Sequence, residues 1–148
     1  FTQIDFENDA LPFGSESIDQ VLVFNVLEHI FNYDFLVGEM HRVLKKDSNL
    51  YGFVPFLVNY HPDPHDYFRY TKESLEKIFK KAGFGEIMIK EISRGPFAVN
   101  YNNIMLSFPV IIRISLFPFY YLIDSVFLRL RPKVGGRYPL GFLFILKK

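Results

Sequence analysis

An α/β fold built on a mostly parallel sheet is what this sequence predicts, and three observations carry that expectation. Residues 21–24, Val-Leu-Val-Phe, form a short continuous apolar run, the pattern of a strand buried on both faces. The run ends in the polar group Asn25, Glu28 and His29 rather than in a turn, and open α/β sheets place their ligands at the carboxyl edge of such strands. Strand and helix patterns then alternate along the chain, which implies parallel pairing with right-handed crossovers.

Local chemistry justifies each element in turn. Leu36, Val37, Met40, Val43 and Leu44 recur at helical spacing after the first strand. Lys45 and Lys46 suit the negative pole at that helix end, and Asp47, Ser48 and Asn49 are turn formers leading into a second strand over 50–54. Thr71 can cap a second helix whose apolar positions Leu75, Ile78, Phe79 and Ala82 share one stripe, closed by Gly83. A third strand is expected over 86–92 and a last one over 141–146.

Segment 96–139 reads as a helical insertion. Phe119, Leu122, Ile123, Val126, Phe127 and Leu130 form an apolar stripe, Pro118 is placed to start that helix, and Asp124, Ser125 and Arg129 occupy its other face. Residues 103–116 are apolar nearly all round apart from Arg113, with Pro109 expected to kink or break the run. The predicted plan is a single partial domain over 1–148: core β-α-β units over 1–95, the insertion over 96–139, and the last strand over 140–148.

Composition narrows the classes. A chain of 148 residues fits one domain with a sizeable core, and 49% hydrophobic against 22% charged residues excludes disorder. The absence of cysteine rules out a disulfide framework and a thiolate metal centre, and makes a cytoplasmic location the default. A net charge of +1 predicts no general attraction to nucleic acid.

Residues 11–30, LPFGSESIDQVLVFNVLEHI, together with HRVLKKDSN at 41–49, Val-Pro-Phe at 54–56 and PDPHDYFRYT at 62–71, resemble the C-terminal two-thirds of a class I S-adenosylmethionine-dependent methyltransferase of the Rossmann-like, small-molecule type. The resemblance implies a mostly parallel sheet with an antiparallel last strand, S-adenosylmethionine as cofactor, and methyl transfer to a small-molecule or lipid- or saccharide-linked acceptor. It places Asp5 at the acidic position facing the adenine amino group, beside the turn of Leu11 and Phe13. Glu7 and Asp9 compete for that part, and a surface acid in an Asp-rich loop is the plain alternative. Asn25, Leu27 and Glu28 would border the methionine end of the cofactor, and His29 would orient or deprotonate the acceptor; a purely structural histidine at a helix start is the other reading.

The family's Pro-x-Asp-aromatic-x-Arg-aromatic-Thr run is matched by Pro64, Asp66, Tyr67, Arg69, Tyr70 and Thr71. By resemblance, His65 or Asp66 lines the acceptor pocket as a catalytic group, while Tyr67 and Arg69 meet substrate and Arg69 pairs with an acid such as Asp66. A structural loop pinned by Arg69 is the alternative. His61, Asp63, His65 and Asp66 also have metal-ligand chemistry, but Pro62 and Pro64 keep the run extended so that alternate side chains point apart. With no distant ligand pair evident, no metal is expected.

The pattern is incomplete. No G-x-G-x-x-G occurs, Gly14 is the only glycine in the first 37 residues, and the chain opens on Phe1. The sequence thus reads as a fragment without the glycine-rich first motif, with impaired cofactor binding and an uncovered edge on strand 21–24 that invites self-association. Arg129, Arg131, Lys133 and Arg137 put four cations in nine residues without an acid, either as a solvated helix exit or as a match for an anionic membrane at the inner face, with peripheral contact over 104–137. Arg113, Asp124 and Arg129 interrupt the roughly 20 apolar residues that a spanning helix needs. The competing function is a non-catalytic, methyltransferase-like domain that docks on a membrane or a partner protein through this insertion.

Overall fold

The computed structural model describes residues 4–148, so residues 1–3 of the expected core lie outside it. The elements are β1 (Ile18–Phe24), α1 (Tyr33–Val43), β2 (Leu44–Pro55), α2 (Lys72–Ala82), β3 (Glu86–Ser93), α3 (Pro96–Ile104), α4 (Val110–Leu130) and β4 (Pro139–Lys147). They form one four-stranded sheet in the order β1-β2-β4-β3. β1 and β2 are parallel, with Val21 opposite Leu50 and Val23 opposite Gly52. β4 runs antiparallel to β2: the Asp47 N–H donates to the Lys148 carbonyl at one end and the Phe56 N–H to Leu140 at the other.

The chain divides into two compact units, one of residues 1–55, 61–90 and 142–148, the other of 56–60 and 91–141. The first holds the sheet core, where Leu27, Val37, Leu50, Val54, Leu75, Phe79, Phe144 and Leu146 are buried. Gly52 is required here by close approach: a Cβ would lie 2.3 Å from Phe144 Cζ and 2.6 Å from the Val23 carbonyl oxygen. Thr71 caps α2 as expected, its hydroxyl accepting from the Ser74 N–H at 3.2 Å, and Gly83 closes the helix at φ 103°. On β1, the first strand of the sheet, Leu22 and Phe24 are 64% and 48% exposed.

Two expectations are corrected. Residues 47–49 are not a turn between elements; β2 starts at Leu44 directly after α1, and Asp47, at φ 60°, sits in a bulge where the register with β1 shifts between Ile18 and Gln20. Backbone bonds between Asp47 or Ser48 and Lys148 keep these turn formers in the ladder. In the second unit α4 starts at Val110 and runs through Pro118 instead of beginning there. Pro109 takes the cap, where a missing N–H costs nothing, and the Tyr101 hydroxyl holds the added first turns by donating to the Arg113 carbonyl at 2.9 Å.

α3 and α4 are joined by a buried acid. The Asp124 carboxylate on α4 accepts from the Phe97 and Ala98 N–H groups at 3.1 and 2.6 Å, so it caps the positive N-terminus of α3 from a distance. Gly95 permits this, because a Cβ there would stand 2.3 Å from Asp124 Oδ1. Arg94 stacks 3.7 Å over the Tyr121 ring and donates to Ser125 Oγ at 2.8 Å.

Chemical denaturation checks this local accounting: Thr71→Ala is expected to lower stability by about 1 kcal/mol through loss of the cap, and Gly52→Ala to lower it by clearly more, since Phe144 and the β1 backbone must both shift.

Candidate active site

β1 ends because Asn25 adopts the left-handed conformation, φ 52°, which asparagine tolerates better than most residues. Its N–H makes the last bond to β2, donating to the Phe53 carbonyl at 3.1 Å. The chain then makes one 3-10 turn, Leu27–His29, whose backbone receives the loop that follows β2. The Glu28 carbonyl accepts from the N–H groups of Tyr67 and Phe68 at 2.8 and 3.3 Å, and the Leu27 carbonyl accepts from the buried Tyr70 hydroxyl at 3.0 Å. The His29 ring adds a bond from Nδ1 to the His65 carbonyl. Segments after Phe24 and after Phe56 thus meet at one rim of the sheet.

Two carboxylates in this junction have opposite environments. Asp66 is gripped by both Nη groups of Arg69, the Nη2 contact at 2.6 Å, and also accepts the His61 N–H at 3.0 Å. The Arg69 fork therefore holds the Asp66 carboxyl well below the usual range, which removes its strength as a base. Glu28 is fully buried and neither of its oxygens has a hydrogen-bond partner among the described residues. Burial pushes its carboxyl up, against a smaller pull from its own backbone N–H and from His29, His61 and Arg69. Its Oε1 stands 3.7 Å from His29 Nε2 and 3.9 Å from His61 Nε2.

An open cleft of about 760 Å³ lies beside this cluster, its walls including Asp5, Glu7, Asp9, His29, His65 and Tyr67. Asp5 is on that wall, with its carboxylate accepting from the Glu7 N–H at 2.9 Å and the Asn8 amide at 2.8 Å; the Asn8 bond is the main cause of its lowered carboxyl range. Glu7 anchors the same loop by accepting from the Phe31 N–H at 2.9 Å. Leu11 and Phe13 are held by backbone: the Leu11 N–H donates to Glu39, and Arg42 donates to both carbonyls. Leu11 also joins Phe6, Val21, Leu22 and Val26 around a smaller apolar hollow of about 160 Å³. Asn25 is exposed, whereas the Leu27 side chain is 1% exposed and belongs to the core.

Sequence reasoning does not single out Arg42, yet it clamps the 11–15 loop and pairs with Glu39 at 2.7 Å. It also saw His61 without the acid that faces it. The available signal was Glu28 itself, an acid inside the apolar run Val26-Leu27-Glu28-His29-Ile30.

This sheet order, with a reversed strand next to β2 and a cleft at the carboxyl rim of β1 and β2, is the fold of the class I S-adenosylmethionine-dependent methyltransferases. In sequence, residues 1–52 match the family model described as a methyltransferase domain. Among solved structures, the chain is similar to an S-adenosylmethionine-dependent methyltransferase from Archaeoglobus fulgidus, with TM-score 0.64 and 16% identity over 99% of this chain and 66% of that one. It is similar to the [4+2]-cyclase SpnF at TM-score 0.59 and 17% identity, over 100% of this chain and 56% of that one. Phosphoethanolamine N-methyltransferase 2 from Haemonchus contortus, in complex with S-adenosyl-L-methionine, gives TM-score 0.54 and 17% identity over 92% and 34%. This chain thus spans less than two thirds of the length of each of these proteins. No curated protein matches it in sequence.

The two carboxylates predict opposite pH behaviour in chelator-treated protein. Asp66, ordinarily near 3.9 but depressed in the fold, contributes stability above that value and loses it as pH falls, so Asp66→Asn should cost about 3 kcal/mol at neutral pH and little in acid. Glu28, raised in the fold, carries a burial cost that grows as pH climbs through and above the ordinary carboxyl range. Glu28→Gln should gain stability relative to the parent as pH rises to neutrality, measured by urea unfolding at both ends of that window.

Proposed function

We propose that this chain supplies the acceptor side and part of the cofactor side of an S-adenosylmethionine-dependent methyltransferase. The observation that carries the reading is the joining of the turn after β1 to the 61–70 loop, which puts His29, His65 and Tyr67 on one cleft with the Asp5–Asp9 loop. The donor set fits the cofactor: Asp5, Glu7 and Asp9 give the cleft an acidic wall suited to a cation, and the apolar hollow at Leu11 and Val26 suits an uncharged ring. When bound, the cofactor supplies an electrophilic methyl group. The protein's task is then to hold the acceptor in line and take up its proton, and positioning supplies most of the rate. His29, oriented by the His65 carbonyl, is the best-placed base. Asp66, tied to Arg69, positions the loop, and Tyr67 offers a ring to the acceptor.

The acceptor is proposed to be lipid-linked or to carry a phosphate-bearing headgroup, met at an anionic membrane surface. α4 supports this: its 21 residues make it long and apolar enough to cross a membrane, and Ile111, Ile114, Phe119, Leu122 and Leu130 are each more than 60% exposed. The charges on α4 that would oppose apolar contact are occupied, Arg113 donating to the Phe108 carbonyl and Asp124 capping α3. Because α4 packs against α3, with its asparagines, we read it as lying at the interface rather than crossing. The phosphoethanolamine N-methyltransferase that shares the fold is compatible with such an acceptor. A second reading, a non-catalytic domain that docks through α4, is favoured by the exposure of that helix and by the cyclase on the same fold, since fold does not fix chemistry.

Titration calorimetry with S-adenosylhomocysteine, alongside amide NMR, separates the two. Saturable binding with shifts at Asp5, His29, His65 and Tyr67 is expected; a folded protein that gives neither leaves only the docking reading. For the membrane, co-sedimentation with phosphatidylserine-containing vesicles should weaken roughly 100-fold when Arg129, Arg131 and Lys133 are all changed to Gln, at about 1 kcal/mol per cation. Binding that ignores the triple change would overturn the electrostatic part.

A further inference from the structure

We propose that Glu28, His29 and His61 form a binding site for a divalent first-row transition-metal ion. His29 Nε2, His61 Nε2 and a Glu28 carboxylate oxygen all lie within 4.8 Å of one another. Glu28 is the observation that points to a ligand. It is fully buried, aimed at both imidazoles, and too far from either for a hydrogen bond, at 3.7 and 3.9 Å. Leaving such an acid without a donor carries a desolvation penalty, and a cation between the three groups would remove it.

The surroundings are built as metal sites are. A ligating imidazole normally donates its other N–H to a carbonyl or carboxylate, which fixes the ring and raises its basicity. His29 does this through Nδ1 to the His65 carbonyl. His61 Nδ1 stands 3.4 Å from Arg69 Nη2, which can only donate to it, and 3.7 Å from Asp66 Oδ2, so ligation through Nε2 requires the ring to give up the Arg69 bond and take the tautomer in which Nδ1–H turns to Asp66. The loop that carries His61 is fixed by its own N–H to Asp66, and the Glu28 backbone by Tyr67 and Phe68.

Two imidazoles and one carboxylate select zinc, cobalt, manganese or iron over magnesium and calcium, which prefer all-oxygen sets. Metal–ligand bonds of about 2.0–2.2 Å imply ligand edges of roughly 3.0–3.5 Å, so the three side chains close by small rotations. Entry is open, because His29 lies on the cleft wall and the His61 side chain is 41% exposed. Three protein ligands leave positions for water or for an oxygen of a bound molecule. Metal binding can be measured without methyl transfer, but the two roles of His29 exclude each other: with Nδ1 donating to the His65 carbonyl, Nε2 is its one free lone pair and serves either the metal or as the base.

The test is titration of the chelator-treated full chain with Co²⁺, followed by visible absorption, and with Zn²⁺ by calorimetry. One saturable site per chain is expected, with proton release and a rise in melting temperature. Glu28→Gln and His61→Ala should each weaken it by at least tenfold, while His41→Ala, at a histidine that packs on Phe84 away from the cluster, should leave it intact. His61→Ala removes a part-exposed side chain and keeps the test valid should Glu28→Gln disturb folding. No saturable binding up to millimolar metal, or binding that both variants retain, overturns the proposal and assigns the three groups to a proton-sharing cluster.

Discussion

The carbonyl oxygen of Glu28 is the point on which the cleft depends. It accepts two N–H groups from the loop after β2, at a place where β1 has just run out of sheet partners. A loop of this length with two prolines has no ladder of its own to satisfy its backbone, and buried backbone groups must be paired. Docking it onto the 3-10 turn after β1 does so, and brings His61, His65 and Tyr67 to the rim that already carries His29. The same docking buries the Glu28 side chain. The backbone of that residue is satisfied by this contact, while its carboxylate has no donor among the described residues.

Much of this was legible in sequence, and the legible part has a common cause. The strand at 21–24, the cap at Thr71 and the stop at Gly83 are set by local apolar periodicity or by single residues with strong backbone preferences, whereas the reversal of the last strand was implied only by the family resemblance. The misread parts were decided by distant partners. Asp47 to Asn49 look like a turn, yet Lys148, a hundred residues away, holds them in the sheet. Pro118 looks like a helix start, yet the bond from Tyr101 to the Arg113 carbonyl pays for the turns before it. At the site, the pairing of Asp66 with Arg69 was visible because the two are three residues apart, whereas Glu28 facing His61 crosses thirty-three positions and no periodicity encodes it.

The second unit follows the same logic with the signs reversed. Asp124 would be an expensive residue on an apolar helix, but it faces the N-terminus of α3, where two unpaired N–H groups and the helix dipole await an anion. That single contact sorts α4 into two faces. One is tied to α3 through Asp124 and to Arg94, just ahead of α3, through Ser125; the other leaves Ile111, Ile114, Phe119 and Leu122 to the outside. That exposed apolar face is the surface on which the proposed membrane contact rests.

The contrast between Asp66 and Glu28 assigns their roles. Both approach His61, yet one is saturated with donors and the other has none among the described residues. A carboxylate already holding an arginine fork and a backbone N–H has little left to offer a ligand, and its contribution is rigidity. A buried carboxylate with idle lone pairs is destabilising in isolation, and such groups mark places where a protein binds or moves charge. When environments push two neighbouring acids in opposite directions, the division of labour can be read from the environments alone. Here it makes Asp66 the support of the loop and Glu28 the group that awaits a partner.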